Sequence, residues 1–190
     1  TLKIGWSELT FKNSNDQHQY HYCFLIPTNK LQEALSWMRE RLEVIEIEKK
    51  RFVEYFSSIN ADSFYFYDAS GNLAEFIVMN DLNHKNNEVF EFPQVLGVCE
   101  IGLPTTDIKK VNQQLENELG SKFRNGDFER FATNGNLEGV FLLPNTNIKN
   151  TWFPTDKKIK IEPFDTVIAY ENKYYQVAFD EDQLSILKFN

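Results

Sequence analysis

Apolar positions along this chain recur at two spacings, and the switches between them predict its elements. Leu2 to Lys12 alternates large apolar and polar residues (Leu2, Ile4, Trp6, then Leu9 and Phe11 after a slip) and reads as one strand. His21 to Ile26 is a second strand, stopped by Pro27. From Asn29 to Leu42 the period becomes helical, with Leu31, Ala34, Leu35, Met38 and Leu42 on one face and Thr28 or Asn29 available as a cap. Val44 to Lys49 alternates apolar and acidic residues, as an exposed strand does. Ser63 to Tyr67 and Leu73 to Met79 are strands joined by the turn Asp68-Ala-Ser-Gly-Asn72, in which Gly71 can take positive φ.

After a polar stretch from Asp81 to Phe92 the order repeats. Val95 to Leu103 is a strand. A helix follows from Asp107 to Leu119, capped by Thr105 or Thr106 and closed by Gly120. Phe128 to Thr133 and Gly139 to Leu143 are strands around Asn134-Gly-Asn136. Thr166 to Tyr170 and Lys173 to Phe179 make a hairpin, and Leu184 to Phe189 is a final short strand. The segment from Phe24 (FLIPTNKLQEALSWMRERL) lies over that from Ile101 (IGLPTTDIKKVNQQLENEL) without a gap. Leu31, Ala34, Met38 and Leu42 fall on Ile108, Val111, Leu115 and Leu119, which points to an internal duplication.

Composition narrows the classes. The 190 residues are 42% hydrophobic and include 17 Phe, so a substantial core is expected rather than disorder. A formal charge of -8 argues against a general nucleic-acid surface. No apolar run approaches the ~18 residues of a membrane span and no signal peptide is present, so a soluble cytoplasmic protein is the expectation. The chain begins at Thr1, directly in a strand-like run, which suggests a preceding amino-terminal piece. Cys23 and Cys99 lie in apolar strands and read as buried free thiols. Phosphate loops, dinucleotide glycine turns, His-Glu-x-x-His, Gly-x-Ser-x-Gly and Cys-x-x-Cys are all absent.

Three residues carry candidate chemistry. Glu75 interrupts the apolar strand Leu73-Ala-Glu-Phe-Ile77, and a buried carboxylate costs several kcal/mol unless it is paired or bound to a cation. Its plain alternative is a solvent-facing position on an exposed sheet. His21 opens the second strand on the face of Cys23 and Leu25; imidazole is a common metal ligand, but it is equally a half-buried strand-end residue. Glu8 is the third. Glu100 sits on the opening strand of the later repeat and could face a second cup, a surface or salt-bridged role being the simpler reading. Trp6, Tyr20, Tyr22, Tyr65 and Tyr67 could line a pocket or pack the core. Thr151 to Thr155 could be a lid or an ordinary anchored loop.

The stretch from Phe64 to Ile77 (an aromatic strand, an Asp-x-x-Gly-Asn turn, then a strand bearing Glu) resembles the vicinal oxygen chelate superfamily, as does the opening strand His21-Tyr-Cys-Phe-Leu-Ile-Pro27. That superfamily includes glyoxalase I, extradiol ring-cleaving dioxygenases, and fosfomycin and bleomycin resistance proteins. The resemblance implies an α+β fold of repeated βαβββ units, whose mixed sheets curl into cups with helices outside. It implies residues 1–12 as the last strand of an incomplete first unit, 18–80 as a second unit, 81–92 as a linker and 93–190 as a third, diverged unit. It assigns His21, Glu75 and Glu8 to a divalent metal ion (Zn, Ni, Mn or Fe), with Glu75 also catalytic and the fourth ligand on a strand that would precede Thr1. The implied function is a metal-dependent enzyme on a small molecule, of the glyoxalase-like isomerase or lyase type or the ring-cleaving dioxygenase type. The alternative is a metal-free binding or resistance module of the same fold. Small-molecule substrate, no nucleic acid, no membrane and a homodimer that completes an open cup are the implied partners.

Overall fold

The structure is a computed structural model and describes residues 1–189. The chain forms two compact units. The first holds Thr1–Ile101 with Leu137–Gly139 and Trp152–Asp156; the second holds Gly102–Asn136, Val140–Thr151 and the chain from Lys157 on.

The first unit opens with β1 (Leu2–Ile4) and β2 (Ser7–Leu9), an antiparallel hairpin where one strand was expected. The slip in the Leu2 to Lys12 alternation is its turn. Gly5 sits there at φ +53, and a Cβ on it would lie 1.8 Å from the Leu96 carbonyl oxygen. The hairpin is tied down where the Trp6 amide donates to Leu96 O (2.9 Å) and the Val98 amide donates to Ser7 Oγ (3.0 Å). Next come β3 (His21–Leu25), α1 (Leu31–Arg39), β4 (Glu54–Phe56), β5 (Ala61–Tyr67), β6 (Leu73–Met79) and β7 (Gly97–Gly102). Within this unit the strand order is β4-β5-β6-β3-β7. The β3–β6 pair is parallel and the other pairs are antiparallel, so the sheet is mixed.

Strand β6 is buried along its whole length because both of its faces are covered. On one face α1 lays Ala34, Leu35 and Met38 against Phe24, Phe64, Phe66, Phe76 and Val78. Phe76 takes edge contacts from Phe24, Phe64 and Phe66 at 5.4–5.6 Å between ring centres, and each buried ring stabilises the unit by roughly 1.5–3 kcal/mol. On the other face Cys23, Leu25, Ala61, Ile77, Met79 and Cys99 pack together.

Val44 to Lys49 forms no strand; it makes only the isolated bridges Val44–Phe66 and Glu48–Arg51. The polar stretch after Asp81 is anchored. Thr28 donates to His84 O, Asn29 and Asn86 exchange bonds, and Phe90 is buried against Trp37.

The second unit contains α2 (Ile108–Gln114), a π-turn (Leu115–Leu119) and β8 (Phe123–Gly126). These are followed by β9 (Phe131–Gly135), β10 (Val140–Pro144), β11 (Phe164–Tyr170), β12 (Lys173–Asp180) and β13 (Gln183–Phe189). Asp107, rather than either threonine, caps α2 by accepting from the Lys110 amide (3.0 Å), and Gly120 ends the turn at φ +83 as expected. Strands β8 to β10 are antiparallel, and β11 to β13 form a separate meander. In chain order β3-α1-β4-β5-β6 and β7-α2-β8-β9-β10 are both βαβββ, so the later repeat is complete at Pro144. The architecture is α+β. Among the described residues no helix is long and apolar enough to cross a membrane.

Candidate metal centre

The turn before β6 sets the site. One Asp68 carboxylate oxygen accepts from the amides of Ser70 and Asn72 (2.8 and 2.9 Å), and the other accepts from Asn72 Nδ2 and the Tyr22 hydroxyl (both 2.8 Å). Gly71 closes the turn at φ +82. Asn72 Oδ1 in turn accepts from the Tyr20 amide (3.0 Å), and the Leu73 amide donates to Tyr20 O (2.9 Å). These bonds clamp the start of β6 onto the start of β3 and leave a single register, His21 opposite Leu73 and Cys23 opposite Glu75.

That register builds a row. Tyr65 pairs with Glu75 across β5–β6, Glu75 with Cys23 across β6–β3, and Cys23 with Glu100 across β3–β7. Directly opposed residues share a face, so four polar side chains line up across four strands on the side away from α1. All four are buried, Glu75 to 3% exposure and Glu100 to 7%. The Cys23 Sγ and one carboxylate oxygen from each of Glu75 and Glu100 lie within 4.8 Å of one another. A β-bulge on β7 explains Glu100. The register shifts between Cys23 and Phe24, which leaves Cys99 as the extra residue, and Cys99 packs on the same side as Cys23.

His21 stands beside this row, 5% exposed. Its Nδ1–H donates to Leu73 O (3.0 Å), since a carbonyl can only accept, and its Nε2 faces Glu75 Oε2 at 3.4 Å. The ring of Trp152 packs on the imidazole at 4.7 Å between centres, and Phe153 packs on Tyr65 and Phe56. The Thr151 to Thr155 segment therefore covers this face.

Burial raises the Cys23 thiol well above its ordinary value, with further upward pressure from the Cys99 thiol and the Glu75 and Glu100 carboxylates. Burial likewise raises Tyr65, helped by the Glu75 charge. Both groups are neutral at pH 7 in this setting.

The structure thus brings His21 and Glu75 together. It leaves Glu8 apart: that side chain is exposed on β2, opposite Lys3 in the hairpin. Cys23 and Glu100 were not expected beside Glu75. The later repeat has no counterpart to Glu75. The Ile26 amide donates to Ile77 O (3.0 Å), and the Leu103 amide, at the matching place before the second proline, donates to Leu142 O (2.8 Å). Leu142 thereby corresponds to Ile77, and Val140 falls where Glu75 stands.

No protein-family profile and no curated protein sequence matches the chain. Solved structures do. A Bacillus subtilis protein provisionally assigned as a dioxygenase superposes at TM-score 0.50 with 14% identity, over 90% of this chain and 61% of that one. A Zea mays glyoxalase I variant gives TM-score 0.46 at 11% identity, covering 90% and 69%. Mycobacterium tuberculosis methylmalonyl-CoA epimerase gives 0.40 at 13%, covering 70% and 91%. The chain spans about three fifths of the Bacillus protein's length. The likeness to the Bacillus protein shows a shared fold.

Proposed function

We propose that this chain is a metal-dependent vicinal oxygen chelate enzyme acting on a small molecule that offers two neighbouring oxygens. The contact between His21 and Glu75 carries the reading. With Nδ1–H committed to Leu73 O, a neutral His21 presents only a lone pair to a carboxylate that also only accepts. A metal ion between Nε2 and Oε2 would satisfy both. Metal bonds of about 2.0–2.2 Å to nitrogen and oxygen set tetrahedral neighbours roughly 3.4 Å apart, and the two atoms are 3.4 Å apart. One imidazole and one carboxylate on a sheet face suit Zn²⁺, Ni²⁺, Mn²⁺ or Fe²⁺.

When bound, such an ion supplies Lewis-acid polarisation of a substrate oxygen. His21 and Glu75 would hold it. Glu75 is also the carboxylate placed to take up a substrate proton, and Trp152 and Phe153 shield that proton from water. Glyoxalase-like isomerisation and ring-cleaving dioxygenation both need this much. A second reading, a metal-free binding module, is favoured by the same Trp152 ring, which closes the face over His21.

Metal content of protein purified without chelators or a metal-affinity column separates the two, with Glu75→Gln as control. We expect near-stoichiometric metal in the parent protein and none in the variant. Metal at a hundred times its Kd adds about 2.7 kcal/mol, or roughly 5–11 °C in Tm at this chain length. Absence of both metal and stabilisation by Zn²⁺, Ni²⁺, Mn²⁺ or anaerobic Fe²⁺ would leave the binding module.

A further inference from the structure

We infer that Cys23 and Glu100 join Glu75 in holding the metal, with His21 beside them, because the strand register brings the Cys23 sulfur and the Glu75 and Glu100 carboxylates within 4.8 Å of one another in the buried face. This rests on the metal-site reading above and goes further, since it names a thiolate ligand and with it a metal class.

The donors come from three neighbouring strands. Cys23 and His21 are two residues apart on β3 and so share a face; Glu75 is on β6 and Glu100 on β7. None depends on a mobile loop. The placement of Glu100 needs the bulge at Cys99, which turns residue 100 onto the face of Cys23. One observation besides the cluster points to a ligand here. The His21 Nε2 and the Glu75 Oε2, two buried donor atoms, face each other at 3.4 Å while Nδ1 is turned to Leu73 O.

The donor set decides the metal. Thiolate and imidazole select borderline and softer ions, Zn²⁺ or Co²⁺, over Mg²⁺, Ca²⁺ and Mn²⁺, which take oxygen ligands. One thiolate and two carboxylates, with a single His beside them, is also not the two-His, one-carboxylate face of non-haem iron oxygenases. Of the two reaction types above, the set therefore favours Lewis-acid isomerisation with proton transfer over oxygen-dependent ring cleavage. The Cys23 proton leaves as the metal arrives, so binding releases acid.

The experiment is a Co²⁺ titration of the reduced protein under anaerobic conditions, followed by absorbance. The expected result is visible ligand-field bands together with a thiolate-to-Co²⁺ charge-transfer band in the near ultraviolet. That band should vanish in Cys23→Ser and persist in Cys99→Ser. Zn²⁺ should displace the Co²⁺ where equal Mn²⁺ does not, and Glu100→Gln should weaken Co²⁺ binding about tenfold or more. Ligand-field bands without charge transfer in the parent protein would overturn the inference and leave the metal site standing, whatever the variants do. Charge transfer that follows Cys99 instead of Cys23 would overturn it too. No Co²⁺ binding by spectrum or equilibrium dialysis would remove both this inference and the reading beneath it.

Discussion

Glu75 and Cys23 are direct partners on neighbouring parallel strands, although 52 positions separate them in the chain. Their pairing is the centre of a row that Tyr65 and Glu100 extend to either side. A carboxylate in the middle of an apolar strand is thereby explained: it faces other polar groups rather than hydrocarbon, on the side of the sheet that α1 does not cover.

The clamp that sets this pairing is Asp68. Asp68→Ala removes four hydrogen bonds to one carboxylate, including that from the Tyr22 hydroxyl. Charge-assisted bonds are each worth about 1.5–3 kcal/mol and are not additive, so a loss of roughly 2–4 kcal/mol is expected in urea unfolding. A loss below about 0.5 kcal/mol would show that the turn does not position β6.

Gly5 and Gly71 both have positive φ but differ in surroundings. A Cβ at Gly71 meets nothing, while at Gly5 it would strike the Leu96 carbonyl. Gly71→Ala should cost about 1 kcal/mol and Gly5→Ala several times more, with the β1–β2 hairpin released from Leu96. Comparable costs would mean that the hairpin is not seated as described; chemical denaturation of the pair decides.

Alkaline pH should destabilise the metal-free protein. Burial raises the Cys23 thiol above 9.0 and the Tyr65 phenol above 10.0, so the folded chain keeps protons that the unfolded chain releases near those values. Their contribution is complete below about pH 9 and declines as pH rises, by about 1.4 kcal/mol per pH unit for each proton. Urea midpoints between pH 7 and 11 should be flat and then fall, and Cys23 should resist a thiol reagent at pH 8 until the protein unfolds. A midpoint that holds steady to pH 11 would contradict this.

Trp152 shields His21. In Trp152→Ala, acylation of His21 by diethylpyrocarbonate, read residue by residue by mass spectrometry, should accelerate at least about tenfold while the Tyr65 neighbourhood stays folded. Unchanged protection would place the cover elsewhere. Truncating a buried Trp costs roughly 3–5 kcal/mol, so the comparison belongs at low temperature, where the fold is retained.

Much of the first unit could be read directly. His21 to Ile26, Ser63 to Tyr67 and Leu73 to Met79 lie on β3, β5 and β6, and the turn at Asp68 to Asn72 forms where its residues demand it. These are local matters of φ, side-chain period and capping. The misreadings arose where pairing overrides period. The Leu2 to Lys12 alternation is a hairpin, which turns Glu8 outward. Val44 to Lys49 alternates properly yet finds no neighbouring strand, and β8 carries too weak a pattern to be noticed.

The chain by itself determined the strand and helix that open each repeat, the tight turn between β5 and β6, and an apolar strand holding a single carboxylate. Those follow from residue chemistry over spans of a few positions. Only the tertiary structure decided that Glu75 meets Cys23, Glu100 and His21 and not Glu8. Hydrogen-bond register between distant strands, and one bulged residue at Cys99, choose which faces coincide, and a shift of one residue would have sent every one of these side chains to the other side of the sheet.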